Sequence, residues 1–248
     1  MKRLTLLLFI LALAVGIARY TPLSFALRVA GINDHSIGWR QARGTIWNGQ
    51  VTGLSIGGIA AGHTELKMRP SDILSGNIGF DARWSAPFGR AAAKIHPISN
   101  GIQLDDTTVD VFLANAPFVD VRLRDLGASI RGEKLSLAFG PYGCEQASGT
   151  ILTDAITLAG LQYGRTWPEL KGNLRCEDRT LVTTLSGDGR AGEAFRLTAR
   201  YDGTGQFSYV IDASGIDFEA QSALTAIGFT SSDNGLSYGS DGYAKDTQ

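Results

Sequence analysis

The chain has 248 residues, of which 44% are hydrophobic, and its 23 basic and 24 acidic side chains nearly cancel. Without a basic stripe, nucleic acid is not expected as a partner. The two cysteines and the three widely separated histidines lack the ligand spacing of a structural zinc site, so neither a metal nor a cofactor is expected.

The N-terminal segment is patterned for membrane targeting. Lys2 and Arg3 precede a largely apolar run over residues 4–18. The run is as long as a secretory signal core of about 7–15 apolar residues, and shorter than the roughly 20 residues of an ordinary spanning helix. The small residues Ala12 and Ala14 suit a signal peptidase, whereas Tyr20 is typical of a membrane interface. An uncleaved anchor and a removable signal therefore both remain open.

Orientation follows from the same segment. Basic residues before an apolar run favour a cytoplasmic N-terminus, so the rest of the chain is expected across the membrane.

Beyond the N-terminal segment, the dominant pattern is alternation of apolar and polar residues, the signal of half-buried strands. The clearest alternating runs are Ile78–Trp84, Val109–Leu113, Leu135–Phe139, Phe195–Tyr201 and Phe207–Ile211. Closely spaced strands without intervening helices favour an antiparallel meander. We therefore predict a mainly β fold, in which the N-terminal helix precedes one curved antiparallel sheet whose concave face is apolar.

Helical signals are few. Pro22–Val29, Pro70–Leu74 and Asp217–Ile227 are the three segments predicted as short helices. The polar residues after Ser231 predict a fraying tail. A weak boundary is placed near Pro141–Gly143, because the strands before and after it follow a similar order.

The two cysteines are predicted to form a disulfide. In an exported domain an even count of two favours one bond between Cys144 and Cys176. Each lies beside an alternating run, Ser148–Leu152 and Leu170–Leu174, and these runs could be adjacent antiparallel strands. Their Cα atoms should then lie within about 7 Å of each other.

Two short motifs match catalytic or cofactor patterns without the required context. Gly53–Gly57 has the G-x-S-x-G spacing of a nucleophile elbow, but the glycine-rich residues that follow Ser55 are unsuited to the helix that an elbow needs. Gly187–Gly192 matches G-x-G-x-x-G but leads into an alternating run, which favours a hairpin loop. The adjacent carboxylates Asp105 and Asp106 are interpreted as a turn. No catalytic residue is therefore predicted.

Two segments resemble the type II secretion system protein N family, also called general secretion pathway protein N. Gly44-Thr45-Ile46-Trp47-Asn48-Gly49 corresponds to the family's Gly-Thr-(Val/Leu/Ile)-Trp-x-Gly stretch, and Pro70–Gly76 corresponds to a Pro-x-x-Leu-x-Gly-like turn. The segments around Cys144 and Cys176 are similar to the family's later half. The resemblance covers nearly the whole chain, up to the tail after Ser231.

The resemblance implies an accessory, non-enzymatic component of the type II secretion machinery, bound to other secretion subunits and to the bacterial inner membrane. The implied plan is a cytoplasmic tip and single transmembrane anchor over residues 1–20, a periplasmic β-rich domain over 21–230, and a flexible tail over 231–248. Within the first motif we predict that Trp47 packs along a strand and that Gly44 is needed for backbone shape.

Two other functions stay open. The family is broadly similar to AsmA-like periplasmic bridge proteins with long curved sheets, so a lipid-handling protein with an apolar β-groove is the alternative. A secreted hydrolase is supported only by Gly53–Gly57.

Overall fold

The structure is a computed structural model that describes Gly16 and residues 19–29, 37–56, 59–74, 76–117, 119–203 and 207–240. The apolar run over residues 4–18, on which the anchor prediction depends, lies outside the described residues except for Gly16. Within the described ranges, none of the helices is long and apolar enough to cross a membrane.

The chain divides into two compact units, residues 1–86 and residues 87–248. The first contains helices α1 (Leu23–Val29) and α2 (Pro70–Leu74), and strands β1 (Ile37–Gly38), β2 (Gln41–Thr45), β3 (Asn48–Ile56), β4 (Ile59–Met68) and β5 (Phe80–Ala86). Its strands pair antiparallel in the order β1, β3, β4, β5. Strand β2 also pairs with β3, so β1 and β2 lie along the same edge of β3.

The second unit is a larger antiparallel sheet with short helices between strands. Its strands are β6 (Gly89–Ile98), β7 (Gly101–Phe112), β8 (Ser129–Gly140), β9 (Gly143–Thr153), β10 (Leu170–Glu177), β11 (Thr180–Asp188), β12 (Ala194–Tyr201), β13 (Phe207–Ser214), β14 (Thr230–Ser232) and β15 (Gly235–Ser240). Its helices are a 3₁₀ turn (Leu113–Asn115), α3 (Val121–Asp125), α4 (Ala155–Gln162) and α5 (Phe218–Ala226). Neighbours follow chain order from β6 to β13, and β15 then separates β13 from β14.

One face of this second sheet, here called the apolar face, carries the core. Cross-strand neighbours on it include Leu185, Leu197 and Ile211, which are aligned through β11, β12 and β13. Helices α4 and α5 cover part of this face with small and apolar side chains. Trp167, which is only 2% exposed, packs there with its ring centroid 5.3 Å from that of Phe195. Burial of these side chains is the main force that stabilises the unit.

The mainly β, antiparallel character of the prediction is confirmed, and its curvature stays a prediction. The three predicted helices are present as α1, α2 and α5, and the Asp217 side chain caps α5 by accepting from the Ala220 N–H at 2.8 Å. Helices α3 and α4 were not predicted. Helix α4 has the sequence AITLAGLQ, which is apolar on nearly every side and so shows no helical period.

Two boundary predictions need correction. Residues 231–240, predicted as part of a flexible tail, lie largely in β14 and β15. Leu236 and Tyr238 are buried on alternate positions there, but the intervening Ser and Gly residues hide the pattern in the sequence. The weak boundary at Pro141–Gly143 is instead the turn between β8 and β9, inside the second unit.

Candidate functional site

The Gly44–Gly49 motif forms a β-hairpin in the first unit. Thr45 pairs with Asn48, so Ile46 and Trp47 form a two-residue turn between β2 and β3. Gly44 has φ +84°, and a Cβ there would lie 2.4 Å from the Asn48 carbonyl oxygen. The conformation therefore requires glycine at 44, as predicted. Trp47 was expected within a strand and lies instead in the turn, half-buried.

This hairpin holds the chain segment that follows the N-terminal apolar run. The Ile46 N–H donates to the Thr21 carbonyl oxygen at 3.2 Å, and Pro22 forms a β-bridge with Thr45. Leu23 is 4% exposed and lies against Gly49, where a Cβ would come within 2.5 Å of its Cδ2 atom. Because Gly49 has no side chain, the motif leaves room for the first turn of α1 to pack against it.

The second candidate is an apolar cavity of about 250 Å³ within the second unit. Its lining comes from six neighbouring strands, β8 to β13, and from the segment around α3. At one end of the cavity, the lining residues Leu185 and Ile211 are almost fully buried. Toward the other end Ala199 and Tyr201 are only half-buried, and Phe207 is 39% exposed. The apolar face is thus incompletely covered where the cavity opens.

Few polar groups line this cavity. Arg200 is exposed, and because it alternates with Ala199 and Tyr201 along β12, its side chain projects from the opposite face of the sheet. Burial raises the pKa of the neighbouring Tyr201 phenol, with a smaller contribution from Asp202. The cavity lining near Tyr201 is therefore poorly hydrated.

A charged clamp holds part of the helical cover in place. The Arg165 guanidinium donates to both Asp217 carboxylate oxygens, at 2.6 and 2.9 Å, and to Glu219 at 2.9 Å. The hydrogen bond from Arg165 and then that from the Ala220 N–H lower the pKa of Asp217. This clamp joins the loop after α4 to the start of α5.

The predicted disulfide is confirmed between Cys144 and Cys176, with Cα atoms 5.6 Å apart. Strands β9 and β10 are adjacent and antiparallel, and their ladder pairs end at Asn173 and Thr150. The disulfide joins the two strands beyond that point. Cys176 is also the cross-strand neighbour of Leu181, which lines the cavity, so the disulfide lies beside the cavity lining.

In the described residues, the segments whose sequences match catalytic or cofactor motifs do not adopt the geometry that those motifs require. Ser55 pairs with Ala60 of the next strand, so the G-x-S-x-G segment leads from one strand to another rather than into a helix. Gly57 lies outside the described residues. Gly187–Gly192 connects β11 to β12, as a hairpin loop should. Asp105 and Asp106 lie within β7 at a register shift, not in a turn.

The nearest approach to a hydrolase constellation is also unsuitable. Asp105 accepts a hydrogen bond from the Ser136 hydroxyl at 2.9 Å and lies 3.9 Å from His96 Nε2. The Ser136 hydroxyl thus donates to a carboxylate, whereas the serine hydroxyl of a catalytic triad donates to the imidazole. Among the described residues, no three His, Cys, Asp or Glu side chains gather into a possible metal site.

Comparison with known families identifies the chain. The model of the family described as type II secretion system (T2SS), protein N, matches residues 35–236. The chain belongs to this family. The match includes the hairpin motif, both cysteines and the strands of the cavity. Neither the curated proteins nor the solved structures contain a significant match to the chain.

Sequence reasoning located the Gly44–Gly49 motif and the disulfide, but it placed Trp47 in a strand rather than in a turn and did not locate the cavity. Leu197, Ala199 and Tyr201 belong to a recognised alternating run, so their shared face was predictable. The incomplete cover at one end of that face depends on where α4 and α5 stop.

Proposed function

We propose that the protein is an accessory, non-enzymatic component of the type II secretion machinery, anchored in the bacterial inner membrane and bound to other secretion subunits through its periplasmic β-domain. The family match over residues 35–236 carries the proposal. Secretion by this machinery begins in the periplasm, which agrees with a domain exported behind a membrane-targeting segment and closed by a disulfide.

The region after the apolar run supports an uncleaved anchor. Tyr20 and Phe25 are 74% and 61% exposed, although both are aromatic. Aromatic side chains are enriched at the membrane–water interface. The hairpin holds Thr21 to Leu23 against the first unit. A membrane anchor that ends just before Thr21 would therefore keep the folded unit next to the membrane.

In-cell photo-crosslinking tests this proposal. A photoreactive phenylalanine analogue replaces Ile78, Tyr142 or Phe218, which are exposed apolar side chains of the two units. We expect the full-length chain in the membrane fraction, with at least one position crosslinked to a subunit of the secretion machinery. Unirradiated cells provide the control. Recovery outside the membrane fraction would contradict the anchor, and absence of secretion subunits from every adduct would contradict the partner assignment.

The cavity favours a second candidate function, the handling of lipids in the periplasm. Its lining is almost entirely apolar, and the face to which it belongs remains partly exposed. Exposed apolar surface of this kind is typical of a ligand or partner site. Phospholipid that co-purifies at near-stoichiometric amounts with the detergent-extracted protein, seen by native mass spectrometry, would favour this candidate.

A further inference from the structure

Helix α1 presents one side to the first unit and the opposite side to its surroundings. Leu23 is buried and Leu27 is half-buried, and because they are four residues apart they lie on the same side of the helix. Phe25 and Arg28 are three residues apart on the opposite side, and both are exposed. The packing of Leu23 against Gly49 therefore fixes which side chains the helix leaves uncovered.

The uncovered side chains are aromatic or positively charged. Tyr20, just before α1, and Phe25 are both strongly exposed. Arg19 and Arg28 are also exposed, and neither side chain has a hydrogen bond or ion pair with any described residue. No acidic residue occurs between positions 19 and 33. These four residues, here called the α1 surface, therefore match a surface that accepts aromatic rings and carries negative charge.

The position of the α1 surface in the chain favours a lipid bilayer as that partner. Arg19 directly follows the apolar run over residues 4–18. In the anchored protein proposed above, the α1 surface would lie within a few residues of the lipid headgroups. Aromatic side chains are enriched at that depth. Arginine binds phosphate groups with paired hydrogen bonds, while its aliphatic stem lies along apolar surface.

We infer that the α1 surface lies in the headgroup region of a bilayer that contains anionic phospholipid, with Phe25 inserted beside the acyl chains and Arg19 and Arg28 bound to lipid phosphates. The inference rests on the proposed membrane anchor. It adds the part of the folded unit that meets the bilayer and the charge of the lipid that this part prefers. Because Leu23 is packed against the hairpin, the contact would orient the first unit on the membrane.

The test uses the full-length chain reconstituted in nanodiscs of phosphatidylcholine, with or without phosphatidylglycerol. The probe is a phosphatidylcholine that carries a diazirine near the carbonyl end of one acyl chain. Trypsin cleaves after Arg3, Arg19 and Arg28, so it separates the apolar run, in fragment 4–19, from the α1 surface, in fragment 20–28. We expect light-dependent labelling of both fragments, with Tyr20 and Phe25 as the labelled residues of the second.

The lipid composition tests the arginines. Labelling of fragment 20–28, relative to fragment 4–19, should be about two- to fivefold higher with phosphatidylglycerol, because each arginine near an anionic surface strengthens the contact by about this factor. Arg28→Glu should remove this excess; its fragment extends to Arg40, and the labelled residues are located by mass spectrometry. Arg40→Glu is the matched control, since Arg40 is exposed in the first unit but lies outside α1.

The aromatic contact has its own pair of variants. Phe25→Ser should lower labelling of fragment 20–28 in both kinds of nanodisc. Phe218→Ser should leave it unchanged, because Phe218 is an equally exposed phenylalanine at the start of a short helix in the second unit. Thermal unfolding verifies that each variant is folded.

The outcomes separate this inference from the anchor on which it rests. Labelling of fragment 4–19 without fragment 20–28 would overturn the inference and leave the anchor standing, whereas labelling of neither would contradict both. Equal labelling with and without phosphatidylglycerol, or equal effects of Arg28→Glu and Arg40→Glu, would overturn the preference for anionic lipid. In cells, a photoreactive analogue at position 25 that attaches to a protein instead of lipid would overturn the bilayer as the partner.

Discussion

At the scale of single residues, the glycines of the hairpin motif are structural requirements rather than chemical groups. Gly44 combines a positive φ with a backbone oxygen 2.4 Å from where a Cβ would lie. Gly76 in the same unit has φ +81° but open space around it. The pair therefore separates the cost of backbone strain from the cost of a steric clash.

We predict that Gly44→Ala destabilises the protein by about 1–2 kcal/mol more than Gly76→Ala, since both substitutions strain the backbone and only the first also clashes. Chemical denaturation followed by circular dichroism measures the difference. Equal free energies of unfolding for the two variants would show that the hairpin relaxes around the added methyl group.

The tryptophans provide a second residue-scale prediction. Trp167 is buried against Phe195, so Trp167→Ala should cost about 3–5 kcal/mol. Trp47 is half-buried in a turn, so Trp47→Ala should cost less than about half as much. Urea unfolding of both variants checks the order. A larger cost for Trp47→Ala would restore the original expectation that it is a core residue.

Tyr238 makes the stability sensitive to alkaline pH. Burial, and then the neighbouring Tyr209, raises the pKa of Tyr238 well above its ordinary value near 10. A raised pKa in the folded state means that this stabilisation is complete below about pH 10 and is lost as the pH rises toward the folded pKa. The free energy of unfolding should therefore fall above pH 10.

Tyr238→Phe should reduce that alkaline loss, and the raised pKa of Tyr201 should leave part of it. Urea titrations between pH 8 and 11 measure the slope. Tyr142→Phe is the control for removal of an exposed phenol. An unchanged slope in Tyr238→Phe would mean that another group accounts for the alkaline loss.

At the scale of secondary-structure elements, the disulfide joins β9 and β10 where their ladder ends. Closing a loop with a sequence separation of 32 should stabilise the fold, by about 3–4 kcal/mol in the chain-entropy model. The double variant Cys144→Ala, Cys176→Ala should lose about this much. Reducing agent should lower the stability of the wild-type protein and leave that of the double variant unchanged; sensitivity of both would implicate something other than this bond.

Several secondary-structure elements were predictable because the sequence pattern of each one directly indicates its type or its start. The run Phe195–Tyr201 alternates buried or half-buried apolar residues with exposed arginines, and it forms β12. Asp217 marks the start of α5 because its side chain can cap a helix. Helix α4 escaped prediction because Ile156 and Ala159 are buried among other apolar residues, which removes the polar stripe that marks a surface helix.

At the scale of the whole molecule, the sequence indicated the family, and the need for glycine at 44 was predictable, although the turn at Trp47 was not. The cavity was not predictable, because it depends on how much of the apolar face the helices leave uncovered.

A role of the protein in type II secretion can be tested by measuring export in the bacterium that encodes it. The measurement is the fraction of a type II substrate released into the medium by a strain that lacks the gene. We predict reduced release with substrate retained in the periplasm, and recovery when the full-length chain is supplied in trans. Release at the wild-type level with no periplasmic retention would contradict the account.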